Sequence, residues 1–173
     1  MNFAQVPSDV REARFEQWLY EYQDAVLRMA YLYLADRNLA EDALQDTFLK
    51  VWNNMHRFEA RNDSSVKTWI MRIAINTCKD YKRLAWFRHV DASQSIDDLP
   101  LAYHAVDIEQ REIFLDVLQL PEKYKQAILL YYYQDMTMDE AAQILGINRQ
   151  ALIRRLKKAY AMLRYTPEGS ELT

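Results

Sequence analysis

Residues 137 to 164, TMDEAAQILGINRQALIRRLKKAYAMLR, read as two short helices joined by a glycine turn. Thr137 followed three residues later by Glu140 is a capping-box pattern. Its hydroxyl and carboxylate each satisfy a backbone N–H left unpaired at a helix start. Ala141, Ala142, Ile144 and Leu145 supply one apolar face. Gly146 permits the positive φ that closes a helix, and Asn148 suits the N-cap of the next one. The spacing predicts a helix-turn-helix.

At about 100° per residue, Leu152, Leu156, Ala159 and Leu163 fall on one side of the second helix, and Gln150, Arg154, Lys157 and Lys158 on the other. Between Gly146 and Arg164 stand six Lys or Arg and no Asp or Glu. Surface helices normally mix both signs, so this one is expected to meet a polyanion rather than solvent alone. An α-helix fits the major groove of duplex DNA, where Arg, Lys and Gln reach base edges and phosphates.

Composition narrows the rest. With 2 Gly and 4 Pro in 173 residues, and apolar residues spaced helically throughout, the expected fold is all-α: two small helical domains joined by a flexible linker. So little glycine leaves no room for a phosphate-binding loop, a dinucleotide fingerprint or a nucleophile elbow, and no catalysis or cofactor is expected. A single cysteine, Cys78, excludes an internal disulfide and fits a reducing cytoplasm. His56, His89 and His104 lack metal-ligand spacing, so no metal is expected. No secretory segment or long apolar run is present, so no membrane insertion is expected.

The net charge of −3 hides a segregated distribution. Residues 61 to 90 carry seven basic and two acidic side chains, and residues 146 to 173 carry six and two. The intervening stretch from 91 to 120 carries one and seven. Screening confines each zone's field to about 8–10 Å at physiological salt, so the two basic zones act separately despite the acidic total.

Helical periodicity marks a first helix through Phe15, Trp18, Tyr22, Val26, Met29 and Tyr33, ending near Ala35, and a break over 36–39. A second runs through Ala40, Ala43, Thr47, Phe48, Val51 and Met55, with Glu41, Asp42, Gln45 and Asp46 on its wet side and no basic partner nearby in sequence. Residues 57–65 read as a loop. A third helix is expected from about Val66 to Ala85, with Trp69, Ile70, Ile73, Ala74, Thr77 and Tyr81 on its inner or edge face. The pattern fades from His89 to Val106, the expected linker, which sets domains at 1–88 and 107–173. Helices are expected again at 107–118 and 122–134, the latter with Pro121 at its starting position.

The third helix interleaves Lys67, Arg72, Lys79, Lys82, Arg83 and Arg88 with Trp69, Tyr81, Trp86 and Phe87. Cations follow phosphates and exposed aromatic faces stack on unpaired bases, at about 1–3 kcal/mol each, so this surface suits a parted strand; a tryptophan at helical spacing is equally a core residue.

In order and spacing, AEDALQDTFLKVW (40–52), TWIMRIAINTCKDYKR (68–83) and LPEKYKQAILLYYYQDMTMDEAAQILGI (120–147) resemble the extracytoplasmic-function sigma factors, promoter-recognition subunits of bacterial RNA polymerase that serve in stress response. The resemblance covers nearly the whole chain. It implies that Asp42, Gln45, Asp46 and Phe48 lie in the segment that docks on the polymerase clamp. It also implies that Asn76 helps hold a base extruded from the −10 element, beside Trp69, Lys79, Lys82 and Arg83. Residues 58–66 then form the pocket that reads that base.

The same likeness sets Asn148, Arg149, Gln150, Ile153, Arg154, Arg155, Lys157 and Lys158 against −35 DNA. The family usually has Lys or Arg where this chain has Ile153, and a small residue where it has Arg154, which implies a base-reading pattern shifted by one position, with Ile153 either touching a thymine methyl group or packed. Core RNA polymerase, promoter DNA and an anti-sigma factor are the implied partners. On the residues alone, a free-standing DNA-binding regulator and a protein-only helical adaptor stay open.

Overall fold

The computed structural model describes residues 8–58, 65–88 and 115–163; all described secondary structure is helical. The chain divides into two compact units, Met1–Asp91 and Ala92–Thr173. The expected linker over 89–106, and the helix expected at 107–118 as far as residue 114, lie outside the described residues.

In the first unit, α1 (Ser8–Leu34), α2 (Arg37–Asn54) and α3 (Val66–Arg88) all pack on one another. The break after α1 is shorter than expected, because Ala35 takes a left-handed turn at φ 56 and Asp36 immediately caps α2 through Leu39 N at 2.9 Å. At its other end, α2 tightens into a 3-10 turn, Met55–Arg57. Ser65 then caps α3, accepting from Thr68 N at 3.1 Å. α3 continues to Arg88, three residues beyond the expected end.

The apolar periodicity is realised in burial. Val26, Met29 and Tyr33 of α1, Ala40, Ala43 and Val51 of α2, and Ile70, Met71, Ala74 and Ile75 of α3 are at most 1% exposed. At one end of the helices Trp18 packs edge-on against Phe58 at 5.6 Å and Trp69 at 6.1 Å, with Phe58 and Trp69 4.9 Å apart. Phe15 packs against Phe48 and Trp52 at 6.2 and 5.2 Å, and Arg11 lies 4.0 Å over the Trp52 ring. Such aromatic pairs contribute about 0.5–1.5 kcal/mol each beyond area burial.

In the second unit, residues 115–119 are helical and are followed by α4 (Glu122–Ile128), whose N-cap is Pro121 rather than a proline inside the first turn. α4 widens into a π turn, Leu129–Tyr133, where a continuous α-helix is expected from sequence. Met136 N reaches back to Leu130 O at 3.2 Å to close that turn. Buried Lys125 donates Nζ to Leu118 O at 2.7 Å, satisfying a carbonyl near the end of the preceding helical residues.

α5 (Met138–Leu145) and α6 (Arg149–Leu163) complete the helix-turn-helix. The Thr137–Glu140 capping box is fully formed. Gly146 sits at φ 65, and Asn148 Oδ1 accepts from Ala151 N at 2.8 Å. Leu152, Leu156 and Ala159 are fully buried and clamp α6 to the unit.

A Cβ on Gly146 would meet no atom within 4 Å, so a substitution there is opposed by backbone conformation alone. Gly146→Ala is therefore expected to destabilise the second unit by about 1 kcal/mol, with Gly146→Asn costing less because asparagine tolerates the left-handed region. Denaturant unfolding followed by circular dichroism reads the difference.

Candidate nucleic-acid interface

With its apolar side buried, α6 turns Gln150, Arg154, Lys157 and Lys158 outward, and all four are exposed. Asn148 and Arg149 are exposed at its start, while Ile153 and Arg155 are half-buried along its flanks. Arg149 reaches back to Asp139 of α5 at 3.4 Å, so the cation nearest the turn is tied to the other helix of the motif. The remaining cations of α6 have no carboxylate on their own helix, so their fields add on the solvent side.

On α3, the residues expected at the DNA divide. Asn76 is exposed and Trp69 is half-buried, its ring committed on one side to Trp18 and Phe58. Together they line an open cleft of ≈ 410 Å³ with Ile73 and with Lys50 and Asn54 of α2. Trp69 is thus part of the aromatic cluster and wall of the cleft at once.

Lys79 is half-buried; Lys82 lies 5.6 Å over the Tyr33 ring, and Arg83 is exposed and 3.4 Å from Asp80. Trp86, Phe87 and Arg88 have side chains outside the described set, as do residues 59–64 of the expected pocket loop. Of that loop's ends, Phe58 is buried in the aromatic cluster and Ser65 is exposed as the α3 cap.

Lys50 and Asn54 carry no motif that marks them in sequence. Both sit on a helix whose acidic side attracts attention, and only the packing of α2 on α3 reveals that they face Asn76. Lys50 Nζ donates to Thr77 Oγ1 at 3.0 Å and lies 3.8 Å from Asp80, tying α2 to α3 along the edge of the cleft. Thr77 Oγ1 donates in turn to Ile73 O at 2.9 Å.

The wet side of α2 also differs in detail from expectation. Asp42, Gln45 and Leu49 are exposed on one stripe. Asp46 is only half-exposed, accepting from the Tyr81 hydroxyl at 2.8 Å, and Glu41 pairs with Arg37 at 2.9 Å, the basic partner that sequence reading did not assign. Phe48 is 4% exposed, packed on Phe15 inside the unit. It braces α2 from behind because position 48 falls on the face shared with Ala40, Ala43 and Val51.

Burial, together with the hydrogen bond to Asp46 and its negative charge, pushes the Tyr81 phenol up to about 12. Burial likewise raises the Cys78 thiol to about 12 and holds it protonated at neutral pH. Among the described residues no group of His, Cys, Asp or Glu is arranged to hold a metal ion. No described helix is long and apolar enough to cross a membrane.

These two surfaces coincide with two family segments. Sigma-70 region 2 matches residues 18–88, and Sigma-70 region 4 matches residues 117–163. The ECF RNA polymerase sigma factor SigM of Bacillus subtilis is 31% identical over 154 residues, spanning 80% of this chain and 90% of that protein. SigV of the same organism is 27% identical over 146 residues, spanning 83% and 85%. Among solved structures, the sigma factor RpoE in complex with the anti-sigma factor NepR from Bartonella quintana is similar, with a TM-score of 0.70 and 25% identity over 87% of this chain and 94% of that one. CnrH, solved with the cytosolic domain of CnrY, shares the fold at a TM-score of 0.66 and 22% identity, over 88% and 86%.

The chain belongs to the extracytoplasmic-function sigma factors. Its function is promoter-directed initiation of transcription as a subunit of RNA polymerase, and its relatives are not enzymes in the catalytic sense.

The Asp46–Tyr81 bond joins α2 to α3 and is testable by alkaline titration. The folded-state pKa of Tyr81 lies above the unfolded value of 10.0, so its contribution is complete below pH 10 and is lost as pH rises through about 12. Tyr81→Phe is expected to cost about 1 kcal/mol at neutral pH and to shrink the alkaline fall in stability between pH 10 and 12. Denaturant unfolding at a series of pH values checks both.

Proposed function

We propose that the two basic surfaces divide the promoter between them: the cleft between α2 and α3 takes an extruded base of the −10 element, and α6 lies on −35 duplex. The convergence of Trp69 and Asn76 on one open cleft is the observation that carries the first half. Asn76 offers an amide to a base edge, Trp69 and Ile73 supply an apolar wall, and Lys79, Lys82 and Arg83 follow the phosphates along α3. Extruding a base costs a few kcal/mol, which these contacts offset. The second half is supported by the outward row of Gln150, Arg154, Lys157 and Lys158, with Asn148, Arg149, Ile153 and Arg155 at its margins.

Asp42 and Gln45 face the polymerase clamp, joined by exposed Leu49 as an apolar contact on the same stripe. Asp46 and Phe48 serve that face indirectly, one by anchoring α2 to α3 and the other by filling the core behind it. Residues 1–88 form the polymerase-binding and −10 part, 107–173 the −35 part, and 89–106 the connection. The polymerase supplies the nucleotide chemistry, so this chain needs no cofactor or metal of its own. It acts in the cytoplasm, where the polymerase is. The complex of RpoE with NepR supports an anti-sigma factor as its inhibitory partner.

Transcription in vitro with purified core polymerase across a promoter library tests this reading; defined start sites are expected only when the chain is added. Gel shifts should show little specific DNA binding until core polymerase is present, whereas a free-standing regulator binds its operator unaided. Asn76→Ala is expected to impair opening with polymerase affinity unchanged, and Asp42→Arg to lower polymerase affinity with promoter choice unchanged. Replacing Lys157 and Lys158 together by Ala should flatten the slope of log affinity against log salt by about two, since each phosphate neutralised contributes about 0.9.

A further inference from the structure

The α2 wall of the cleft has a chemistry that base capture by Asn76 leaves unassigned. Asn54, in the last turn of α2, donates Nδ2 to Lys50 O at 2.8 Å. A carbonyl oxygen only accepts, so this bond fixes which end of the amide is which. Oδ1 is the end left free by that bond, on a residue that lines the cleft, and among the described residues none donates to it. Lys50, the other polar group on this wall, has its ammonium engaged with Thr77 and Asp80. The helix α2 therefore presents to the cleft an oriented acceptor rather than a free donor.

We infer that Asn54 is a specificity-determining residue of base capture, its Oδ1 accepting a hydrogen bond from an exocyclic amino group of the extruded base. The inference rests on the cleft being the base-capture site. Cytosine carries that amino group at C4 and adenine at C6, whereas guanine's amino group is at C2, across a ring nitrogen from its C6 carbonyl. Thymine and guanine place a carbonyl oxygen at the corresponding position, and two acceptors face one another with neither satisfied. Cytosine and thymine differ on this edge by amino against oxo at C4 and by a bare against a protonated N3, with the thymine methyl added at C5, so the discrimination is carried mainly by hydrogen bonding at C4. Trp69 and Ile73 hold the ring without regard to which base it is, because every base has an apolar face.

The test uses the chain assembled with core polymerase on fork templates already unpaired across the opened region, so that base-pair strength does not enter. Each position of the unpaired non-template strand is substituted in turn with all four bases, and binding is measured. The wild-type holoenzyme is expected to prefer the amino bases over the oxo bases about tenfold at one position. Asn54→Ala should reduce that preference below threefold, whereas Asn54→Asp, which retains an acceptor, should keep it even if all templates bind more weakly.

Both variants lose the bond to Lys50 O, so a merely structural role would move them alike. Persistence of the preference in Asn54→Ala, equal behaviour of the two variants, or the absence of an amino preference at every position in the wild type would each overturn the inference. Asn76→Ala on the same templates separates this from the underlying reading. If Asn76→Ala loses base discrimination while Asn54→Ala keeps it, the cleft captures the base and Asn54 does not read it. If Asn76→Ala changes nothing at any position, base capture in this cleft is itself wrong, and the inference falls with it.

Discussion

Trp18, Phe58 and Trp69 bring together α1, the residue after the α2 turn and the first turn of α3, and the geometry of the cleft depends on their packing. Edge-to-face contacts fix both distance and direction, because the positive rim of one ring seeks the negative face of the next. With Trp69 gripped on one side, its other side is held as a wall at a constant distance from Asn76. A leucine in its place would bury less area and fix no orientation. The same cluster anchors Phe58, so the chain leaves α2 from a defined point.

A second set of contacts runs along the two helices. Asp46 with Tyr81, and Lys50 with Thr77 and Asp80, staple α2 to α3 at points about one turn apart. α2 thereby has three duties on three faces: Ala40, Ala43 and Val51 inward, Asp42, Gln45 and Leu49 outward, and Lys50 and Asn54 toward the cleft. A helix has room for this because successive residues turn by about 100°. The two stapled helices form one stiff unit, so a protein bound to the outward stripe and a nucleotide in the cleft would rest on the same two-helix frame.

The helix-turn-helix was legible residue by residue, because its signals are local: a capping box, a glycine that alone accepts the left-handed turn, and a cap for the next helix. The apolar faces of α1 to α3 were legible for the same reason, as was the outward row of α6. What sequence could not supply was pairing between elements. Position 48 looks like part of a docking segment until Phe15 is seen packed on it. Asp46 looks free until Tyr81, thirty-five residues away, donates to it. Lys50 and Asn54 gain meaning only from the crossing of α2 over α3. The π turn at Leu129–Tyr133 was missed because a run of large apolar residues fits either helical pitch, and the bond from Met136 N to Leu130 O that follows it joins residues no local signal pairs.

Cys78 is the chain's only cysteine, fully buried on α3 with its thiol held protonated. Peroxide and disulfide chemistry both begin at an accessible thiolate, and here neither access nor ionisation is granted. A transcription factor of a stress-responding family is thus deaf, through its sulfhydryl, to oxidants in its surroundings. If such a change reaches this polypeptide, it does so by a route other than its one sulfhydryl.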